Sequence, residues 1–137
     1  MFVVTFKTGV KWDPVTSAGV RILAALDRAA SLCSVNLEVT CGSEPMAAHG
    51  PTDPHSRGVA FDVAVVGMSP MVVVSVKKTI ESYLGPDFTV LYEVNAVPSD
   101  PVLQSVAYVN AAATGPHYHI QPRRGTVWPP VVVGSLA

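Results

Sequence analysis

The chain has 137 residues, 49% of them hydrophobic and 14% charged, with a formal net charge of -1. This suits one folded domain with a real core and excludes a disordered tail. The charge gives no reason to expect a nucleic-acid or membrane-surface partner. No apolar run approaches the roughly 20 residues of a membrane span, so no membrane insertion is expected.

The first residues, Met1 to Lys11, lack a basic start followed by a long apolar stretch and a small-residue cleavage site. No signal peptide is visible, and synthesis in the cytoplasm is expected. Without a secretory signal, Cys33 and Cys41 read as two buried thiols rather than a disulfide. Their spacing excludes a CxxC metal knuckle.

Phe2 to Lys7 is rich in β-branched and aromatic residues and predicts a strand. Asp13 and Pro14 suit the cap and first position of a helix. Val15, Ala18, Ile22, Ala25, Leu26 and Ala29 keep its apolar face to about Ser31. Asn36 to Cys41 alternates and predicts a second strand. Residues 42–56, with three prolines and two glycines, predict a loop.

Ala60 to Val66 predicts a core strand. Ser69-Pro70 opens a second helix whose apolar face is Val73, Val76, Ile80 and Leu84, with Gly85 as its stop. Phe88 to Glu93 predicts another strand. Between Asn95 and Pro116 the pattern admits a short helix from Asp100-Pro101 or a strand over Leu103 to Val109. His117 to Gln121 alternates as a strand does, and residues 123–137 read as an irregular tail with Trp128 as an anchor. Trp12 is expected in the core or under a lid. The fold class expected is α+β, one domain with a small, mainly antiparallel sheet and two main helices.

The four histidines fall into two clusters, His49 with His55 and His117 with His119, each beside a predicted strand. Zinc takes neutral imidazole nitrogen and carboxylate oxygen, which is what such clusters offer when an aspartate is near. Asp62 is that aspartate. An unpaired carboxylate in the apolar run AFDVAVV would be costly to bury, and a metal ion would offset the cost. Gly58 permits a tight turn between His55 and Asp62. His117 and His119, two apart in a strand, face one side.

These residues resemble a known family. His55-x-x-Gly58-x-Ala60-x-Asp62 followed by His117-x-His119 is similar to the zinc D-Ala-D-Ala carboxypeptidase and L-Ala-D-Glu endopeptidase family, which includes bacterial cell-wall enzymes and bacteriophage endolysins. Val39-Thr40-x-Gly42 looks like the family's lead-in. Leu84-Gly85-x-Asp87-Phe88-x-Val90-x-x-Glu93 resembles the segment of small phage members that ends in a catalytic glutamate. The matching stretches cover roughly residues 37–66 and 84–121.

The resemblance implies a monomeric peptidase that cuts peptidoglycan stem peptides and acts at the cell wall. His55, Asp62 and His119 would hold Zn2+, and Glu93 would be the general base. His117 would orient substrate, stabilise the oxyanion, or act as the base itself. The amino-terminal domain of the animal hedgehog signalling proteins is similar in the same motifs and is not known as a peptidase. A zinc-stabilised binding module is therefore the alternative, and a zinc hydrolase of another small peptide or amide is a third reading.

The chain also departs from the family pattern. Asp53 stands where Ser or Thr is common, and Gln121 stands where a carboxylate is often seen. Ser43-Glu44 replaces the usual substrate arginine. Arg57, inside the motif, is the candidate substitute for that arginine and His49 a candidate for the cleft rim; the plainer readings are a surface arginine and an exposed loop histidine. About twenty residues separate Glu93 from His117 where small phage members have a few, so Glu93 can reach the site only if this insertion loops out.

Overall fold

The computed structural model describes residues 1–12, 16–44, 53–55 and 59–123. Expectations for Asp13, Pro14, Val15, His49, Arg57, Gly58, Trp128 and the rest of the tail beyond Arg123 lie outside these residues. The chain forms an α+β fold. Its elements run β1 (Val4–Phe6), α1 (Ser17–Cys33), β2 (Leu37–Cys41), β3 (Phe61–Ala64), α2 (Pro70–Leu84), β4 (Phe88–Val94), α3 (Pro101–Gln104), β5 (Ala107–Val109) and β6 (His117–Pro122).

The strands form one sheet in the order β1-β2-β3-β6-β4-β5. The inner pairs β2–β3, β3–β6 and β6–β4 are antiparallel, while the outer pairs β1–β2 and β4–β5 are parallel. The sheet is thus mixed, with its antiparallel part at the centre. Residues 95–116 contain both of the alternatives read from the sequence, helix α3 and then strand β5.

Helix α1 begins later than Asp13-Pro14 suggested. Its N-cap is Thr16, whose side chain accepts from the Gly19 amide at 3.0 Å. That bond satisfies one of the amides left over at a helix start. Helix α2 matches its sequence signals, with Ser69 as cap, Pro70 in the first turn and Gly85 at the C-terminus with φ +78°. A positive φ costs glycine little and most other residues more.

Both helices lie on one face of the sheet. Ile22, Leu26, Val76 and Ile80 meet Leu37, Val39, Phe61, Val63, Tyr118 and Ile120 there, all at most 1% exposed. Each such side chain contributes about 1.5–3 kcal/mol by leaving water. Arg21 ties the layers together: its Nη2 donates to the Leu84 carbonyl at 3.0 Å and its guanidinium lies over the Phe88 ring. Trp12 is not in the core. It is 39% exposed and stacks on Phe6 with ring centroids 6.1 Å apart. Neither cysteine is in a disulfide; Cys41 is buried as expected, but Cys33 is only half-buried.

Because strand side chains alternate, burying Phe61, Val63, Tyr118, Ile120, Val90 and Tyr92 against the helices turns Asp62, His117, His119 and Glu93 to the opposite face. The hydroxyl of Tyr118 donates to the Val73 carbonyl at 2.6 Å, fixing β6 to α2 between the two histidines.

Candidate metal centre

Strand β6 runs between β3 and β4. Its register sets His119 opposite Asp62 on one side and His117 opposite Glu93 on the other. The insertion of residues 95–116 runs out to the sheet edge as α3 and β5 and leaves β4 paired with β6. The sequence separation that stood against Glu93 therefore does not keep it from His117.

Three imidazoles converge on one carboxylate oxygen. His119 Nδ1 lies 2.9 Å, His55 Nε2 3.3 Å and His117 Nε2 3.8 Å from Asp62 Oδ1. His117 Nε2 is also 3.1 Å from Glu93 Oε1. The rings of His55 and His119 meet edge to face with centroids 5.1 Å apart.

The other ring nitrogens all face oxygen acceptors. His55 Nδ1 lies 3.2 Å from the Gly42 carbonyl, His117 Nδ1 2.9 Å from the Gly115 carbonyl, and His119 Nε2 2.7 Å from Gln121 Oε1. A carbonyl oxygen can only accept, so each of these nitrogens carries the proton. In a neutral ring the nitrogen turned toward the carboxylates then presents a lone pair to an anion. Either a proton or a cation has to lie between them. Metal-binding histidines are held in this way, with the outer N–H tied to an oxygen. Gln121 fills that supporting position without a carboxylate.

His55 is 4% exposed and is held by its backbone as well as its ring. Its amide donates to Asp53 Oδ1 at 2.8 Å, the bond a Ser or Thr two residues earlier could also accept. Asp53 thus holds the turn before His55, and it also lines the cleft. Glu44 has a similar structural task. Its Oε1 accepts from the amides of Gly42 at 2.7 Å and Lys11 at 3.2 Å. Burial raises the Glu44 pKa, but these backbone hydrogen bonds outweigh it and the net shift is downward. A Cβ on Gly42 would collide with the Lys11 carbonyl, so glycine is required there.

Cys41 also belongs to this cluster. The ligand atoms of Cys41, His55 and Asp62 all lie within 4.8 Å of one another, and these three residues could hold a metal ion. Sulfur, nitrogen and oxygen donors of this kind suit zinc-type ions. The electrostatics favour an ionised Asp62. Burial opposes the charge on Asp62, but the hydrogen bonds and charges of His119 and His55 outweigh it, holding its carboxyl far below the usual range. Burial likewise opposes a charged His119, yet its bonds to Asp62 and Gln121 and the Asp62 charge raise its pKa. Burial, followed by the Asp62 charge and then a hydrogen bond to Glu44 and its charge, pushes the Cys41 thiol up.

The cluster lies in an open cleft of about 480 Å³, whose walls include Lys7, Thr40, Asn110 and Thr114. Among the described lining residues Lys7 is the one lysine or arginine. No family model, curated protein or solved structure matches this chain.

The structure brings together His55, Asp62, His119, His117 and Glu93. The expected substrate contacts Arg57 and His49 lie outside the described residues. From the sequence Cys41 is only a buried thiol, and nothing in its spacing marks it. The signal is in strand register: Val39 pairs with Val63 but Cys41 pairs with Asp62, so β2 carries one extra residue and Cys41 is set across from the carboxylate.

Proposed function

We propose that this protein is a zinc metallopeptidase that cleaves peptidoglycan stem peptides, of the D-Ala-D-Ala carboxypeptidase or L-Ala-D-Glu endopeptidase type. The observation that carries this reading is the convergence of His55, His117 and His119 on Asp62, with Glu93 beside His117. His55, Asp62 and His119 would hold the ion. When bound, zinc lowers the pKa of a water towards neutrality and polarises an amide carbonyl.

The chain's own groups do the rest. Glu93 and His117 form an acid–base pair within reach of one proton, with the Gly115 carbonyl fixing the His117 tautomer. Glu93 takes a proton from the attacking water and returns it to the leaving amine, and His117 stabilises the developing oxyanion. Asn110 and Thr114, both on the inserted segment, offer polar contacts for the peptide backbone, and Lys7 offers a charge for a substrate carboxylate.

The test is hydrolysis of purified peptidoglycan or of a peptide ending in D-Ala-D-Ala, with and without a chelator. Release of a stem-peptide fragment that stops with chelator and resumes with zinc supports the reading. No release under zinc-loaded conditions overturns it.

A second reading, a non-catalytic zinc-stabilised binding module, is favoured by one observation. The position after the Gly42 turn carries Glu44, engaged with backbone amides, in place of a cation that could meet a substrate carboxylate.

A further inference from the structure

We infer that Cys41 is a thiolate ligand of the bound ion, giving the centre a sulfur donor beside its imidazoles and carboxylate. The inference rests on the proposed metal site and adds to its ligand set of His55, Asp62 and His119.

Three observations carry it. The first is position. In the register set by Val39 and Val63, continued antiparallel pairing would put residue 41 opposite Phe61, whose side chain faces the helices. The extra residue in β2 instead pairs Cys41 with Asp62, on the cleft side. Bulges of this kind re-aim a side chain next to a site. The second is distance, since the sulfur lies within 4.8 Å of the ligand atoms of both His55 and Asp62. Zinc–sulfur and zinc–nitrogen bonds of about 2.3 and 2.0 Å can be closed from such separations with small side-chain shifts. The third is support from the turn that follows. Gly42 accepts the His55 ring through its carbonyl and is itself held by Glu44, so the residue after the thiol also orients a histidine ligand.

On binding, the thiol gives its proton to solvent and its sulfur lone pair to the ion; nothing is oxidised or reduced. A coordinating thiol is deprotonated by the ion's charge, whatever its resistance to ionisation without it. Two consequences follow. The site prefers zinc, cobalt or cadmium over magnesium and manganese, because thiolate is a soft donor. It also has four protein ligands at rest, so water enters by expansion to five ligands or by release of the sulfur.

The experiment is a cobalt titration of the chelator-stripped full chain, followed by electronic absorption. Wild type should show visible ligand-field bands together with a near-ultraviolet sulfur-to-cobalt charge-transfer band. Cys41→Ser should keep the visible bands, lose the charge-transfer band and bind zinc at least about ten-fold more weakly. Cys33→Ser should keep both. Visible bands without charge transfer in wild type would overturn the thiolate ligand and leave the metal site standing. Absence of any cobalt uptake, with the fold intact by circular dichroism, overturns both. If Cys41→Ser does not fold, X-ray absorption on the zinc-loaded wild type decides: one sulfur neighbour at about 2.3 Å supports the inference, and a shell of only nitrogen and oxygen refutes it.

Discussion

His117 and Glu93 are direct partners across β6 and β4, and their side chains meet at 3.1 Å on the face turned away from the helices. Two residues more than twenty positions apart thus become one paired unit through strand register. If that unit moves the proton in hydrolysis, Glu93→Gln should lower kcat by about 10²–10⁴-fold, since the amide has the shape but not the basicity. Zinc content should be unchanged. A variant with near wild-type turnover would remove Glu93 from the mechanism.

Asp62 is the point on which the three imidazoles converge. Asp62→Asn removes the charge that draws them together and a strong ligand with it. Mass spectrometry of the native protein should find the variant almost free of zinc under conditions that load wild type. Retention of zinc at wild-type levels would place the ion elsewhere.

The metal-free protein should lose stability as pH rises above neutrality. The His119 pKa is raised on folding, so its contribution is full below the unfolded value of about 6.5 and fades as pH climbs through the raised one. The Asp62 pKa is lowered, so its contribution is present above about 3.9 and fades as pH falls toward the depressed value. Urea midpoints measured in chelator should therefore be highest between about pH 4 and 6.5. His119→Gln should flatten the alkaline decline. With zinc the trend reverses over the same range, because the ligands must lose protons to bind. A metal-free midpoint that rises steadily from pH 6.5 to 8 would contradict the pairing.

Tyr118 separates the two cleft histidines and anchors β6 to α2 through the Val73 carbonyl. Tyr118→Phe keeps the buried ring and removes that bond. The expected cost is about 1 kcal/mol, or a fall in Tm of about 3–4 °C for a chain of this size. Calorimetry measures it; an unchanged Tm would mean that the bond adds nothing to the anchoring of β6.

Lys7 is the charged group proposed to meet a substrate carboxylate at the cleft wall. It is exposed, so its effect is modest. Lys7→Gln should raise KM for a peptide with a free C-terminal carboxylate by about two- to five-fold and leave kcat unchanged. The same peptide with an amidated C-terminus should show no difference between the two proteins. Equal effects on both peptides would assign Lys7 no part in carboxylate recognition.

Much of this protein was legible from local sequence. Alternation in His117 to Gln121 set both histidines on one face. The apolar run around Asp62 marked a carboxylate in need of a partner, and three imidazoles surround it. Ser69-Pro70 and Gly85 bounded α2 closely, because caps, prolines and glycines act through nearby backbone groups. The start of α1 was not fixed locally: Asp13 and Thr16 are both acceptable caps by residue type, and Thr16 is the one whose side chain holds the Gly19 amide in the folded chain. What the chain could not declare by itself was register. Whether Glu93 reaches His117 past a long insertion, and whether Cys41 faces the helices or the carboxylate, depend on how separate strands align. One residue of slip in β2 reverses the answer for the thiol, because strand side chains alternate sides with a period of two. Only the assembled sheet, with its inner face filled by Phe61, Val63, Tyr118 and Ile120, decided which side chains remain on the other side to form the site.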